Sequence, residues 1–217
     1  MGAAPLLEEI QSAQLKKDIA SWFYVPSWER TCTFDEVNIS ALKHKKILIF
    51  SDKSNLMLST INWLQVNAID FEIVENPLKK EELLKLFENL NKNNKLPYHI
   101  IYFTYPEYYS DPKEYFSHIM YLLQSIGEVY WDKSITISFI SQNIQKIIGH
   151  EQVKAENSLL IGPCKVINKE IENINCKLID VETNIVSSTH ADLFTQIISD
   201  VMSPSGPSHV AYRGDYR

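Results

Sequence analysis

The chain has 217 residues, 45% of them apolar and 22% charged, with a formal net charge of -6. That length can bury a sizeable core as one domain or two small ones, and the negative balance excludes the basic footprint of a nucleic-acid-binding surface. No run approaches the roughly 18 apolar residues of a membrane span. The three widely spaced cysteines, Cys32, Cys164 and Cys176, give no zinc pattern and an odd number for disulfides, so buried thiols in a reducing, cytoplasmic setting are expected. The first nine residues, with acids at Glu8 and Glu9, lack the apolar core of a signal peptide.

Leu6, Leu7, Ile10, Leu15 and Ile19 recur at helical spacing and predict an amphipathic helix over 6–20. Trp22 to Phe34 is aromatic and β-prone but interrupted by Pro26, which suits an edge strand. A regular alternation then begins. Ile47 to Ser51 is a continuous apolar run, as in a strand buried on both faces, and 55–66 turns Leu56, Ile61 and Leu64 toward a core. Phe71 to Val74 is the second strand. Asn76-Pro77 predicts the start of a helix bearing Leu83, Leu84, Phe87 and Leu90. His99 to Phe103 is the third strand. Asp111-Pro112-Lys113-Glu114 predicts a capped helix carrying Phe116, Ile119, Met120, Leu123 and Ile126 and ending at Gly127. Ser134 to Ile140 and Cys176 to Val181 are further strands. Thr189 to Asp192 opens a helix with Leu193, Phe194, Ile197, Ile198 and Val201, and after the turn-rich 203–208 comes a last strand, His209 to Arg213. Strands separated by single helices imply parallel pairing through right-handed crossovers. The expected fold is a doubly wound, mostly parallel α/β sheet.

Such sheets bind ligands beyond the carboxyl ends of their strands, and there the sequence withholds the usual chemistry. The six glycines, Gly2, Gly127, Gly149, Gly162, Gly206 and Gly214, never stand one residue apart, so the G-x-G-x-x-G that lets a backbone approach a pyrophosphate is absent. Ser51-Asp52-Lys53-Ser54 follows the first strand without a phosphate loop, and Asp52 has no second acid at the end of the third strand with which to hold Mg²⁺. Tyr109 and Lys113 have the spacing at which a lysine lowers a phenol's pKa for acid catalysis. Pro112 lies between them, however, so Tyr109 falls before the helix and the two are not helical neighbours. The histidines show no metal-ligand spacing and no G-x-S-x-G occurs.

Three segments, in order, resemble the ketoreductase region of modular polyketide synthases. They are Tyr24-Val25-Pro26-Ser27-Trp28-Glu29-Arg30, the stretch Ser158 to Glu182, and Val210-Ala211-Tyr212-Arg213-Gly214. The resemblance implies two Rossmann-like halves: a truncated structural subdomain that binds no cofactor, and a catalytic subdomain that holds NADPH and reduces a β-ketoacyl thioester borne by an acyl carrier protein. This chain resembles the first half. A helical extension or linker over 1–21 and a Rossmann-like structural subdomain over 22–217 are therefore expected. No catalytic, cofactor or metal residue is expected here, and NADPH is expected only on the catalytic half. The expected partners are that half and other synthase domains. Edge strands offer unpaired backbone groups to a partner sheet, so Tyr24, Trp28, Tyr212 and Arg213 are the candidate interface residues. The alternatives are a small stand-alone reductase with an atypical cofactor loop, and a scaffold supporting another domain such as a methyltransferase.

Overall fold

The computed structural model describes residues 27–32, 37–75, 78–104, 107, 109–130, 132–182 and 191–217. The chain divides into two compact units, Met1–Arg30 and Thr31–Arg217. The predicted helix over 6–20 and the predicted edge strand up to Pro26, Tyr24 included, lie outside the described residues. From Ser27 to Cys32 the backbone forms no strand, contrary to expectation. β-propensity is realised only against a neighbouring ladder, and Thr31 bonds to Arg217 instead, its N–H donating to the Arg217 carbonyl at 2.9 Å.

The second unit is built on six parallel strands: β1 (Ile47–Ser51), β2 (Phe71–Glu75), β3 (His99–Phe103), β4 (Ile135–Gln142), β5 (Ile174–Val181) and β6 (His209–Tyr212). Their order is β2-β1-β3-β4-β5-β6. A short α1 (Ile39–Leu42) precedes β1. The crossovers contain α2 (Asn55–Val66), α3 (Lys80–Lys92), α4 (Pro112–Val129), α5 (Ile161–Glu170) and α6 (Ala191–Met202). This is the doubly wound parallel α/β sheet that the alternation predicts. In the common order 3-2-1-4-5-6, two strands lie beyond β1 on one side. Here only β2 does, as in the other common doubly wound order, 2-1-3-4-5, and among the described residues β2 forms an edge, with Ile73 exposed.

The period-2 alternation of the strands sends side chains into two cores. Leu48, Phe50, Ile100, Tyr102, Ile137 and Phe139 meet Leu83 and Phe87 of α3, Ile119, Leu122 and Ile126 of α4, and Cys164 of α5. On the other face Ile47, Ile49, Ile101 and Ile179 meet Leu56 and Leu64 of α2 and Leu193, Ile197 and Val201 of α6.

Several boundaries differ from the sequence reading for identifiable reasons. α3 begins at Lys80, after the predicted Asn76-Pro77, because the Glu82 carboxylate reaches back to accept from the Lys79 N–H at 2.7 Å. Gly127 does not end α4, which continues to Val129. A Cβ at Gly127 would stand 3.1 Å from Ile171 Cδ1, so this glycine makes room for close packing. Helix α5, preceded by a 3-10 stretch at Ala155–Leu160, has no counterpart in the periodicity reading. Gly162-Pro163 resembles a turn, yet proline is tolerated in a helix's first turn, where its missing N–H goes unneeded. The Thr189 start predicted for α6 lies outside the described residues.

A buried polar row lies under the C-terminal end of α6. Lys177 of β5, 2% exposed, donates to the carbonyls of Asp200, Ser203 and Ser205 at 3.2, 2.6 and 2.7 Å, closing the helix end with a cation, as its dipole favours. His99 of β3 contacts Ser138 Oγ at 2.9 Å, and that hydroxyl donates to the Val201 carbonyl. Burial, helped by the Lys177 charge, lowers the His99 pKa from 6.5 to about 3. Burial also lowers the pKa values of His118 and His209. A depressed histidine pKa means that the unfolded chain binds the extra proton. The His99 contribution is therefore full above about pH 6.5 and is lost as the pH falls toward 3, by about 1.4 kcal/mol per pH unit, and the other two histidines act in the same direction. Urea-unfolding free energies measured from pH 7 to 5 should fall with pH, and His99→Asn should flatten one proton's share of that slope. An unchanged slope in the variant would refute the assignment.

Candidate functional site

The strand order reverses between β1 and β3, and a ligand of such a sheet is received in the crevice there. The loop after β1 uses its polar groups internally. Ser54 caps α2, its Oγ accepting from the Met57 N–H at 3.2 Å. Asp52 Oδ1 accepts from the Ser54 N–H at 2.8 Å, and Ser51 Oγ accepts from the Lys53 N–H at 3.3 Å. Lys53 itself takes φ 60°, a left-handed conformation that costs a side-chain-bearing residue about 1–2 kcal/mol. Burial raises the Asp52 pKa against the lowering effect of its hydrogen bonds to Ser54. The helix N-terminus that would face a phosphate is thus occupied by a serine oxygen, with a carboxyl group beside it.

A buried ion-pair network lies at the other end of the sheet, at the carboxyl ends of β5 and β6. Arg213 is 1% exposed, and all five of its N–H groups are used. Nε donates to Glu151 Oε1 at 3.0 Å, Nη2 to Asp180 Oδ2 at 2.6 Å and to the Gln145 carbonyl at 2.9 Å, and Nη1 to the carbonyls of Tyr212 and Asp180 at 2.9 and 3.3 Å. The two carboxylates are themselves fixed by backbone. Asp180 accepts from Ile144 and Gln145. Glu151 accepts from Ile147, Ile148 and Gly149, the last at φ +102°. Burial works to raise the Glu151 pKa, but these backbone donors outweigh it and bring the value down to about 2.

A second arginine continues the arrangement. Arg217 grips Asp200 with Nε at 2.6 Å and Nη2 at 2.7 Å. Its Nη1 donates to Thr31 Oγ1 at 2.6 Å and the Cys32 carbonyl at 2.9 Å. The Tyr212 hydroxyl donates to the same Asp200 carboxylate. Arg217 thereby ties the segment at 31–32 to α6.

Of the four residues expected at a partner interface, Tyr24 lies outside the described residues and Trp28 is exposed. Tyr212 and Arg213 are corrected: they are 0% and 1% exposed, because pairing of β6 with β5 turns them onto Asp200 and Asp180. Among the described residues, β6 stands at one edge of the sheet. Tyr109 precedes α4 and packs on Tyr115, ring centroids 5.4 Å apart, while Lys113 lies in the helix's first turn beyond the Asp111 cap. Cys164 and Cys176 are buried free thiols. Sequence reasoning missed Glu151, Asp180 and Lys177. The available signal was the presence of Lys177 and Asp180 inside the apolar run Cys176 to Val181, since charges in a fully buried strand require partners.

No family model matches the sequence, and no curated protein matches it either. Solved structures do match. The chain is similar to a keto acid-selecting NRPS module containing adenylation, ketoreductase and pseudo-Asub domains, at 16% identity and TM-score 0.63, over 89% of this chain and 17% of that one. The fold is ketoreductase-like. The first ketoreductase of the tylosin PKS is similar at 14% identity and TM-score 0.59 over 79% of this chain, and a C2-type ketoreductase from a modular polyketide synthase at 14% and 0.61 over 78%. The chain spans 36% and 37% of those two. A short-chain dehydrogenase/reductase from Vibrio parahaemolyticus is similar at 13% identity and TM-score 0.54, over 76% of this chain and 98% of that one.

Removing one partner from a buried ion pair leaves an uncompensated charge, at a cost of about 3–5 kcal/mol. Arg213→Met should lower the unfolding free energy by about that amount in urea titrations at pH 7. Lys154→Ala, which breaks the half-exposed pair with Glu107, should cost less than about 1 kcal/mol. Equal losses in the two variants would contradict this account of Arg213.

Proposed function

We propose that this chain is the structural, non-catalytic subdomain of a ketoreductase of the modular polyketide synthase type. In this reading it stabilises and orients a catalytic half that binds NADPH and reduces a β-ketoacyl thioester carried by an acyl carrier protein. The observation that supports it most is the state of the crevice between β1 and β3. Three features there speak against a pyrophosphate: Ser54 caps the helix end, Asp52 brings a carboxyl group, and Lys53 places a side chain where close backbone approach favours glycine. The ketoreductase-like fold supplies the second support. The partner is met by the outer backbone edge of β6, and Trp28, exposed in the first unit, is a separate candidate contact. The cytoplasm is the proposed location. No described helix is long and apolar enough to cross a membrane.

One observation favours a second reading, a stand-alone reductase: the chain overlays almost the whole Vibrio parahaemolyticus dehydrogenase. The two readings differ in what the chain does alone. NADPH titrated against the isolated chain should leave its tryptophan fluorescence unquenched. NADPH oxidation with a β-ketoacyl thioester should appear only after co-expression with a ketoreductase catalytic half. Turnover by the chain alone would overturn the proposal and establish the second reading.

A further inference from the structure

Strand β2, Phe71-Glu72-Ile73-Val74-Glu75, stands at one edge of the sheet among the described residues. Its backbone direction follows from its pairing with β1. The Ile47 N–H donates to the Asp70 carbonyl at 3.0 Å, and Ile47 is in register with Phe71. In a parallel ladder a residue bonds to the two neighbours of its register partner, so Asp70, Glu72 and Val74 turn their backbone groups toward β1. The N–H and C=O groups of Phe71, Ile73 and Glu75 therefore point outward, where no described strand meets them. Edges of this kind are usually blunted by proline, lysine or a bulge. β2 contains no proline or lysine, and its register with β1 runs through all five residues without a bulge. One of its two acids, Glu72, is neutralised by Lys46 at 2.5 Å. Ile73 is exposed, although it lies on the same face as Phe71, which packs against the core beneath α2.

We propose that β2 pairs with β2 of a second copy of this chain, antiparallel about a two-fold axis at Ile73, so that two sheets join into one. A closed two-fold contact brings the same strand against itself, and antiparallel residues that exchange hydrogen bonds must both direct their backbone groups at the other strand. The outward set of Phe71, Ile73 and Glu75 then opposes itself. Centred on Ile73, the pairing sets Phe71 against Glu75, Glu72 against Val74 and Ile73 against Ile73, and every residue of β2 is matched. Both acids face apolar residues. A slide of two residues one way sets Glu72 against Glu72, a destabilising like-charge pair. The same slide the other way leaves Phe71 and Glu72 beyond the end of the opposing strand. A slide of one residue sets outward groups against inward ones and reverses the side-chain faces. The charge pattern of β2 is thus complementary to itself in one register, and there the exposed Ile73 side chains meet on the axis. The contact uses the edge opposite β6, and the proposal stands whichever reading of the function holds.

The test is sedimentation equilibrium of the full chain at about 100 μM, a concentration suited to a small interface. A monomer–dimer equilibrium should be seen. Ile73→Lys sets two lysines against each other on the axis and should weaken association by about tenfold or more, with an unchanged far-UV circular dichroism spectrum because the position is exposed. The register is read separately by cysteine crosslinking with oxidised glutathione in a Cys32→Ser background, which removes the exposed native thiol. Cα atoms of a hydrogen-bonded antiparallel pair stand about 5.5 Å apart, within disulfide reach, so Ile73→Cys should crosslink two chains. Glu75→Cys, which faces Phe71, should not. A monomer at that concentration would overturn the proposal and leave this edge to a strand of another protein. Undiminished association of Ile73→Lys, failure of Ile73→Cys to crosslink, or equally efficient crosslinking of Glu75→Cys would overturn it as well.

Discussion

A guanidinium buried to 1% exposure imposes its terms on everything around it. Arg213 cannot shed its charge, and an unpaired buried charge is intolerable, so five acceptors must be in place before the core can close. They come from the 145–151 loop, the carboxyl end of β5 and the end of β6. Satisfying one side chain thereby fixes the loop after β4, the pairing of the last strand and the turn that follows it. The carboxylates facing Arg213 are held by backbone N–H groups of the 144–149 stretch, so the network is preorganised from both sides.

Arg217 extends the same logic outward. Its fork on Asp200 leaves Nη1 free to hold Thr31 and Cys32, so the segment entering the second unit and the residues following β6 share one anchor on α6. For a subdomain whose proposed work is to orient another, a rigid common anchor is a useful property. It couples the position of Thr31 and Cys32 to that of α6.

The two ends of the strand row contrast in chemistry. At the β1–β3 crevice the polar groups of the loop bond to neighbours in sequence: Ser54 to Met57, Asp52 to Ser54 and Ser51 to Lys53. At the carboxyl ends of β5 and β6 the charges are met by groups from distant segments instead, Arg213 by Glu151 and Asp180 and Arg217 by Asp200.

The sequence by itself determined the sheet. Continuous apolar runs such as Ile47 to Ser51 and His99 to Phe103 can only be strands buried on both faces, and single intervening helices dictate parallel crossovers. The glycine positions likewise show that the chain carries no G-x-G-x-x-G. The sequence did not determine the partners of its own charges. Tyr212 and Arg213 read as exposed edge residues because their acceptors, Asp200, Asp180 and Glu151, lie 12, 33 and 62 residues away, and no local pattern encodes such pairing. Nor could helical periodicity reveal α5 through Gly162-Pro163, or show that Gly127 yields space to Ile171. Local propensity and hydrophobic period act over a few residues, whereas burial of a charge and close packing are decided by whichever distant segment the sheet brings alongside.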